Sequence, residues 1–406
     1  MSSRIWHSFV VPCCVNHETV FGISTEKSLD EIYSPENDVL TNFRKELIEG
    51  PVLPKSCSRC TECEHTGIES HRQYSNNRWG HLIDQIDIDK TGVLIENKFY
   101  LWDGVGYTNL CNLKCRMCPS YLSSTNREEE IKHNLPIKSV SPVHTEILKQ
   151  YQIKNKLPKM TIESFNDIND FYNFFDQHID YIEEIKFEGG EPLMMEQHYR
   201  VLELLIEKNK TDVILKYPTN LTKLTLKKYN VLDLWKQFKQ VDITVSLDAY
   251  DKQNYYIRHP AKWDDIISNL KEVKTKCPHV KITISTTMQI LNSFAASKLH
   301  TWAIENNIAQ EFVFLKYPSY LSMQVLPPEY KTQIEEHWSQ HKQTLDPSVD
   351  IKGIDGFLHM MRLEDRSEEL PEFFARIKER DIIRKENLLE TFPEFTELNN
   401  NYDQGN

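Results

Sequence analysis

The side chains most able to do chemistry in this sequence are its nine cysteines. Eight fall in three groups: Cys13 and Cys14; Cys57, Cys60 and Cys63; and Cys111, Cys115 and Cys118. Cys277, followed by Pro278, stands alone and reads as an ordinary free thiol. An odd total makes a poor disulfide framework, whereas thiols two and three residues apart can bring several thiolates around one metal or cluster. Metal or iron–sulfur ligation is therefore the leading chemistry. A structural zinc wants about four protein ligands, but the Cys111 group supplies three and the next histidine along the chain is His133. A cubane iron–sulfur cluster held by only three thiolates keeps one iron open to a non-protein ligand. Such a loop is a site for reaction and not a staple.

The stretch Tyr107-Thr-Asn-Leu-Cys-Asn-Leu-Lys-Cys-Arg-Met-Cys118 resembles the CxxxCxxC loop of radical S-adenosylmethionine (SAM) enzymes. In that family the three cysteines hold a 4Fe–4S cluster whose open iron binds the amino and carboxylate groups of SAM. The resemblance therefore assigns Cys111, Cys115 and Cys118 to that cluster; Met117 stands where the family usually has an aromatic residue. Glu188-Gly-Gly-Glu-Pro192 resembles the family segment that meets the SAM amino group. Gly189 and Gly190 allow close backbone approach, and Glu191 can accept hydrogen bonds from an ammonium group. By the same resemblance Ser246 is a candidate for the SAM ribose or carboxylate. Arg258, in Tyr-Ile-Arg-His-Pro, resembles an arginine that pairs with the SAM carboxylate. A strand-end hydroxyl and a surface arginine are the plainer readings of these last two.

Cys57-Ser-Arg-Cys-Thr-Glu-Cys63 can be read as half a zinc ribbon completed by Cys13 or Cys14. With the intervening Gly22–Tyr33 and Phe43–Gly50 stretches it also resembles the SPASM or twitch auxiliary domains of radical SAM enzymes, which bind a second 4Fe–4S cluster. That resemblance implies Cys14, Cys57 and Cys60 as ligands, with Cys13 or Cys63 as the fourth, or a three-ligand cluster with an open iron. Here the segment precedes the barrel, whereas such domains commonly follow it. The fifteen histidines are scattered, and none stands at ligand spacing beside the cysteines.

Six strand-like runs must position these groups: 100–105, 182–187, 213–215, 243–247, 280–284 and 312–315. Helical spacing separates them, as in Leu202, Leu205 and Ile206 or Trp263, Ile266, Ile267, Leu270 and Val273. Strands alternating with helices imply an α/β fold with a parallel sheet. The Cys111 loop and the Glu188–Pro192 segment fall just past strand ends, and Ser246 and Asp248 at the end of the fourth, where parallel barrels place catalysis. The fold implied by the resemblance is a partial (β/α)6 TIM-type barrel. The expected domains are 1–80 (auxiliary cluster), 95–320 (barrel) and 321–406 (a helical extension with a disordered tail). The long first connection, 119–181, carries a charged segment, Arg127 to Lys132, and reads equally as a lid, a substrate-specific insertion or a solvated helix.

Composition sets outer bounds. With 48 basic and 60 acidic residues the net charge is −12, which disfavours a nucleic-acid backbone as main partner. No apolar run suits a membrane span, and the first fifteen residues do not read as a signal peptide, so a mature cytoplasmic protein is expected. The resemblance implies reductive SAM cleavage to a 5′-deoxyadenosyl radical and hydrogen abstraction from a peptide or small metabolite. It also implies a flavodoxin- or ferredoxin-type electron donor. A non-catalytic iron–sulfur or zinc protein is the competing reading, against which the intact cysteine triplet and Gly-Gly-Glu-Pro segment count.

Overall fold

The computed structural model describes residues 2–6, 8–16, 18–50, 53–65, 69–94, 96, 98–135 and 161–405. They form two compact units. The first comprises Met1–Leu110, Thr161–Tyr217 and Thr225–Val241, and the second Cys111–Met160, Pro218–Leu224 and Asp242–Asn406.

The first unit is built on strands β1 (Ser2–Trp6), β2 (Phe9–Val11), β3 (Gly22–Ile23), β4 (Leu101–Gly106), β5 (Glu184–Glu188) and β6 (Ile214–Thr219), in the order β6-β5-β4-β1-β2-β3. β4 pairs parallel with β5 and with β1, and β5 parallel with β6, while β1, β2 and β3 are antiparallel. A short hairpin, β7 (Thr225–Leu226) and β8 (Tyr229–Asn230), completes the unit's strands. The segment read from sequence as a separate auxiliary domain thus lays β1 along the edge of β4. An uncovered edge of β4 would expose a row of unpaired backbone groups, which is the physical reason to pair it.

All six residues of β4 are buried, as expected of a parallel strand covered on both faces. One cover is the helix Ile168–His178, whose Phe171, Phe174 and Phe175 are fully buried. Trp102 meets Phe171 edge-on at 5.7 Å, and Phe99 meets Phe174 at 5.3 Å, the geometry that aromatic quadrupoles favour. β4 is not regular. Its pairing slips between Asp103 and Val105 against β5, and at the same place against β1. The residue that permits this bulge is Gly104, at φ +95°, where a Cβ would meet a Glu188 carboxylate oxygen at 2.7 Å.

The second unit carries β9 (Val241–Ser246), β10 (Lys281–Met288) and β11 (Ala309–Phe314), with β10 parallel to both others. The helices Trp263–Lys276 and Ala296–Glu305 follow β9 and β10, so the strand–helix alternation read from sequence is present. Along β10 the even positions Ile284, Thr286 and Met288 are buried, the period of two that a strand imposes.

The charged segment Arg127 to Lys132 lies in the helix Ser124–His133. It is not a solvated helix. Glu129 and Glu130 are 3% and 4% exposed. Glu129 pairs with Arg380 at 2.6 Å and Arg384 at 2.8 Å, and Glu130 with Arg380 at 3.0 Å. The partners come from the helix Leu370–Arg384 of the carboxyl-terminal extension, which two acidic and two basic side chains dock. The rest of the long connection, 136–160, lies outside the described residues.

The tail expected to be disordered instead forms the helix Thr396–Gly405. Buried Phe395 and Leu398 anchor its start and outweigh the weak helix propensity of the asparagines that follow. Among the described residues, no helix is long and apolar enough to cross a membrane.

Burial alone would push the Glu129 carboxyl up; Arg384, Arg380 and Lys114 outweigh it and hold it at about 2, below its ordinary 4.5. A depressed carboxylate contributes stability that is complete above its unfolded pKa and is lost as pH falls through the folded one. A urea midpoint followed from about pH 6 to pH 2 should therefore fall more steeply in wild type than in Glu129→Gln. Parallel curves would show that the pair does not bear on stability.

Candidate functional site

The loop of Cys111, Cys115 and Cys118 belongs to the second unit, and its backbone is tied from two directions. The first is the start of the following helix. Ser124 Oγ accepts from the Cys111 N–H at 3.2 Å, and Ser123 and Thr125 each donate to the Leu113 carbonyl at 2.7 Å. Asn126, fully buried, donates through Nδ2 to the carbonyls of both Cys115 and Cys118 at 3.1 Å. The second direction is the segment after β9. The N–H of Lys114 donates to His259 O at 2.6 Å and that of Arg116 to Ile257 O at 2.8 Å. The backbone of the loop is thus held from both sides. Cys111 and Cys115 are buried and Cys118 is half-buried, and the Leu113 N–H points at Cys111 Sγ at 3.5 Å.

Arg116 fixes the loop from within. Its guanidinium, 1% exposed, reaches Asp381 at 2.5 Å and Glu386 at 2.6 Å, donates from Nε to Tyr256 O at 3.0 Å, and lies 3.6 Å over the Tyr256 ring. Tyr256 in turn donates to Asp381 at 2.8 Å, and His259 meets Glu386 at 2.8 Å.

Arg258 is not a surface residue. Its Nε and Nη2 are taken by Asp248 at 2.8 and 3.1 Å, leaving Nη1 on the side of Cys115 Sγ, 4.0 Å away. Burial opposes the Arg258 charge, but Asp248 and then Cys115 raise its pKa. Asp248 is fully buried, and burial raises its carboxyl above the ordinary range despite Arg258. Ser246 is half-buried at the end of β9, in register with Ser285 of β10. Within the second unit, Asn220 donates to Asn112 Oδ1 at 3.1 Å, and Asn112 donates to Thr222 Oγ1 at 2.8 Å, so the segment Pro218–Leu224 also meets the cysteine loop.

In the first unit, Gly189, Gly190 and Glu191 lie against the residues that lead into Cys111. The Gly190 N–H donates to Thr108 O at 3.1 Å and the Glu191 N–H to Leu110 O at 2.8 Å. A Cβ on Gly190 would stand 2.2 Å from Leu110 O and 2.5 Å from Asn109 O, and Gly189 adopts φ +116°. Both positions therefore demand glycine. Glu191, 2% exposed, accepts from the Leu193 N–H at 3.2 Å. Glu188 is engaged by Arg4 at 2.5 Å and Lys186 at 2.7 Å.

Residues 105–289 match the Radical SAM superfamily. This region of the chain is a radical SAM superfamily enzyme domain. No curated protein matches the sequence. Among solved structures, anSMEcpe with bound AdoMet and the Cp18Cys peptide is similar at 13% identity and TM-score 0.35, over 58% of this chain and 59% of that one. SuiB of Streptococcus suis bound to S-adenosylmethionine is similar at 15% identity and TM-score 0.33, over 75% of this chain and 62% of that one. TYW1 with a lysine-pyruvate adduct bound is similar at 15% identity and TM-score 0.27, over 59% of this chain and 73% of that one. The chain thus spans less than two thirds of the length of the first two.

Outside the cysteine loop of the radical SAM domain, the amino-terminal cysteines divide. Cys57, Cys60 and Cys63 follow one another on consecutive turns of Lys55–Cys57 and Ser58–His65; Cys60 is buried, and Asn16 donates to Cys57 Sγ at 3.7 Å. Cys13 is half-buried, and burial pushes its thiol up to about 11. Cys14 Sγ faces His71, 3.5 Å from Nε2. Cys277 is buried. Sequence reasoning missed Asn126, Arg116 and His71, and placed Asp248 at a strand end without its pairing to Arg258. Only the first left a signal, the Ser-Ser-Thr-Asn run at a helix start.

Two substitutions test this geometry. Gly190→Ala should lower stability by about 2 kcal/mol or more, read from urea unfolding, because the facing atoms are backbone. Arg116→Met should cost on the order of 3 kcal/mol by leaving Asp381 and Glu386 without their buried partner, and should reduce iron retained at the loop. Wild-type unfolding in either variant would refute the corresponding contact.

Proposed function

We propose that this chain is a radical SAM enzyme that cleaves SAM reductively at a 4Fe–4S cluster held by Cys111, Cys115 and Cys118 and abstracts hydrogen from a peptide or small-metabolite substrate. The observation that carries this reading is the cysteine loop itself. Three thiols at the CxxxCxxC spacing sit on a backbone held by hydrogen bonds, and a guanidinium flanks Cys115. N–H groups and a positive charge beside sulfur suit thiolates and an anionic cluster. The cluster and SAM, when bound, supply the electron and the 5′-deoxyadenosyl radical that takes the hydrogen atom.

The chain's own residues then bind and orient. Arg258 holds the SAM carboxylate through Nη1, the edge that Asp248 leaves on the Cys115 side, and Ser246 binds the ribose or carboxylate. Gly189, Gly190 and Glu191 receive the SAM amino group, their backbone positions set by Thr108 and Leu110.

A second 4Fe–4S cluster, in a SPASM- or twitch-like segment, belongs to the proposal, with Cys13, Cys14, Cys57, Cys60 and Cys63 as its candidate ligands. The successive helical turns that carry Cys57, Cys60 and Cys63 support it, since residues three apart share a helix face. A flavodoxin- or ferredoxin-type protein in a reducing cytoplasm would supply electrons.

Anaerobically reconstituted protein should hold about eight irons per chain and release 5′-deoxyadenosine with SAM and dithionite, and Cys115→Ala should release none. Zinc in place of iron, or no 5′-deoxyadenosine from a loaded wild-type cluster, would favour the non-catalytic binding protein instead.

A further inference from the structure

We infer that Cys14, His71 and Asp103 form a mononuclear site for a divalent transition metal of zinc or ferrous type, which takes Cys14 out of the candidate ligands of the second cluster and leaves Cys13, Cys57, Cys60 and Cys63 to it. Each offers one ligand atom, and these atoms lie within 4.8 Å of one another. All three residues belong to the first unit, so the site is complete within it and does not depend on the chemistry proposed for the Cys111 loop.

The atoms that converge decide what kind of site this is. His71 Nε2 stands 3.5 Å from Cys14 Sγ and 3.6 Å from Asp103 Oδ2. In a cysteine–histidine–aspartate relay the imidazole uses one nitrogen toward the nucleophile and the other toward the carboxylate. Here Nε2 is the nitrogen nearest both groups, although Sγ also stands 3.7 Å from Nδ1, and the three ligand atoms gather about one point within 4.8 Å of one another. With bonds of about 2.0 Å to nitrogen, 2.3 Å to sulfur and 2.1 Å to oxygen, a tetrahedral ion separates nitrogen from sulfur by about 3.6 Å and nitrogen from oxygen by about 3.4 Å. The observed separations lie close to both. Ligands of a four-iron cubane bind different irons and stand farther apart, so Cys14 is poorly placed to share a cubane with these two neighbours.

A second, independent observation is Asp103 itself. Its side chain is 9% exposed, and its buried Oδ2 has no hydrogen-bond partner. Asp103 sits at the bulge of β4, where the slipped register turns a side chain away from the regular alternation. The other two positions are fixed by separate devices. Cys14 lies in the turn closed by the Cys13–Asn16 bridge, and His71 opens a helix capped by Ser70. The nearby cations Arg4 and Lys186 are both engaged by Glu188.

Thiolate, imidazole and carboxylate together suit zinc or ferrous iron better than magnesium or calcium. Three protein ligands leave one position for water. An ion here would clip the amino-terminal turn and the helix His71–Trp79 to β4, the strand that runs on in sequence to Cys111.

The test uses full-length protein, reconstituted with iron and sulfide, stripped of loosely held metal with a chelator, and titrated anaerobically with cobalt(II) chloride. Wild type should retain one cobalt per chain with a thiolate-to-cobalt charge-transfer band that zinc chloride displaces. His71→Ala and Asp103→Asn should each weaken cobalt binding by about tenfold or more, Cys14→Ser should abolish the band, and Cys57→Ala should keep it. Asp103→Asn retains the side-chain shape and decides the matter where the circular dichroism of His71→Ala departs from wild type. Unchanged cobalt affinity in Asp103→Asn, or cobalt lost from Cys57→Ala and kept by His71→Ala, overturns the site and returns Cys14 to the iron–sulfur set. Release of 5′-deoxyadenosine, measured separately, reports on the Cys111 loop alone.

Discussion

The burial of the Arg116 guanidinium is the constraint on which the cysteine loop depends. A charge taken out of water is tolerated only where opposite charges and hydrogen bonds replace the solvent, and Arg116 finds them in Asp381, Glu386, the Tyr256 carbonyl and the Tyr256 ring. Because removing one partner leaves the others buried and unpaired, the arrangement is specified sharply. It fixes a residue between the second and third cysteines of the loop to the far end of the chain, and so makes the carboxyl-terminal extension part of what holds that loop. Glu129 and Glu130 repeat the device with Arg380 and Arg384.

A different constraint governs the Gly-Gly-Glu segment. Gly190 passes so near the Leu110 and Asn109 carbonyls that no side chain fits, and the N–H groups of Gly190 and Glu191 are spent on the backbone just before Cys111. The glycines thus have a packing reason to be there.

Much was legible in one dimension. The parallel strands β4, β5, β6, β9, β10 and β11 fall where apolar alternation predicts them, since a strand buried on one or both faces must be apolar at fixed intervals, whereas β1 was not anticipated. The cysteine triplet and Gly-Gly-Glu-Pro declare themselves because each is a set of distinctive residue types within a few positions. Arg258 was legible as a site candidate from its local motif, but its pairing with Asp248 was not. Asp103 and His71 carried no local signal at all.

The sequence by itself determined the spacing of the cysteine loop, the strand–helix alternation and the acidic surface charge, because each is a matter of neighbours along the chain. Only the tertiary structure decided that Arg116 is buried, that β1 covers the edge of β4, that the tail is helical, and that Cys14, His71 and Asp103 meet. Those outcomes join residues up to 270 positions apart. They turn on which buried charges and backbone edges find partners, a balance that no local pattern encodes.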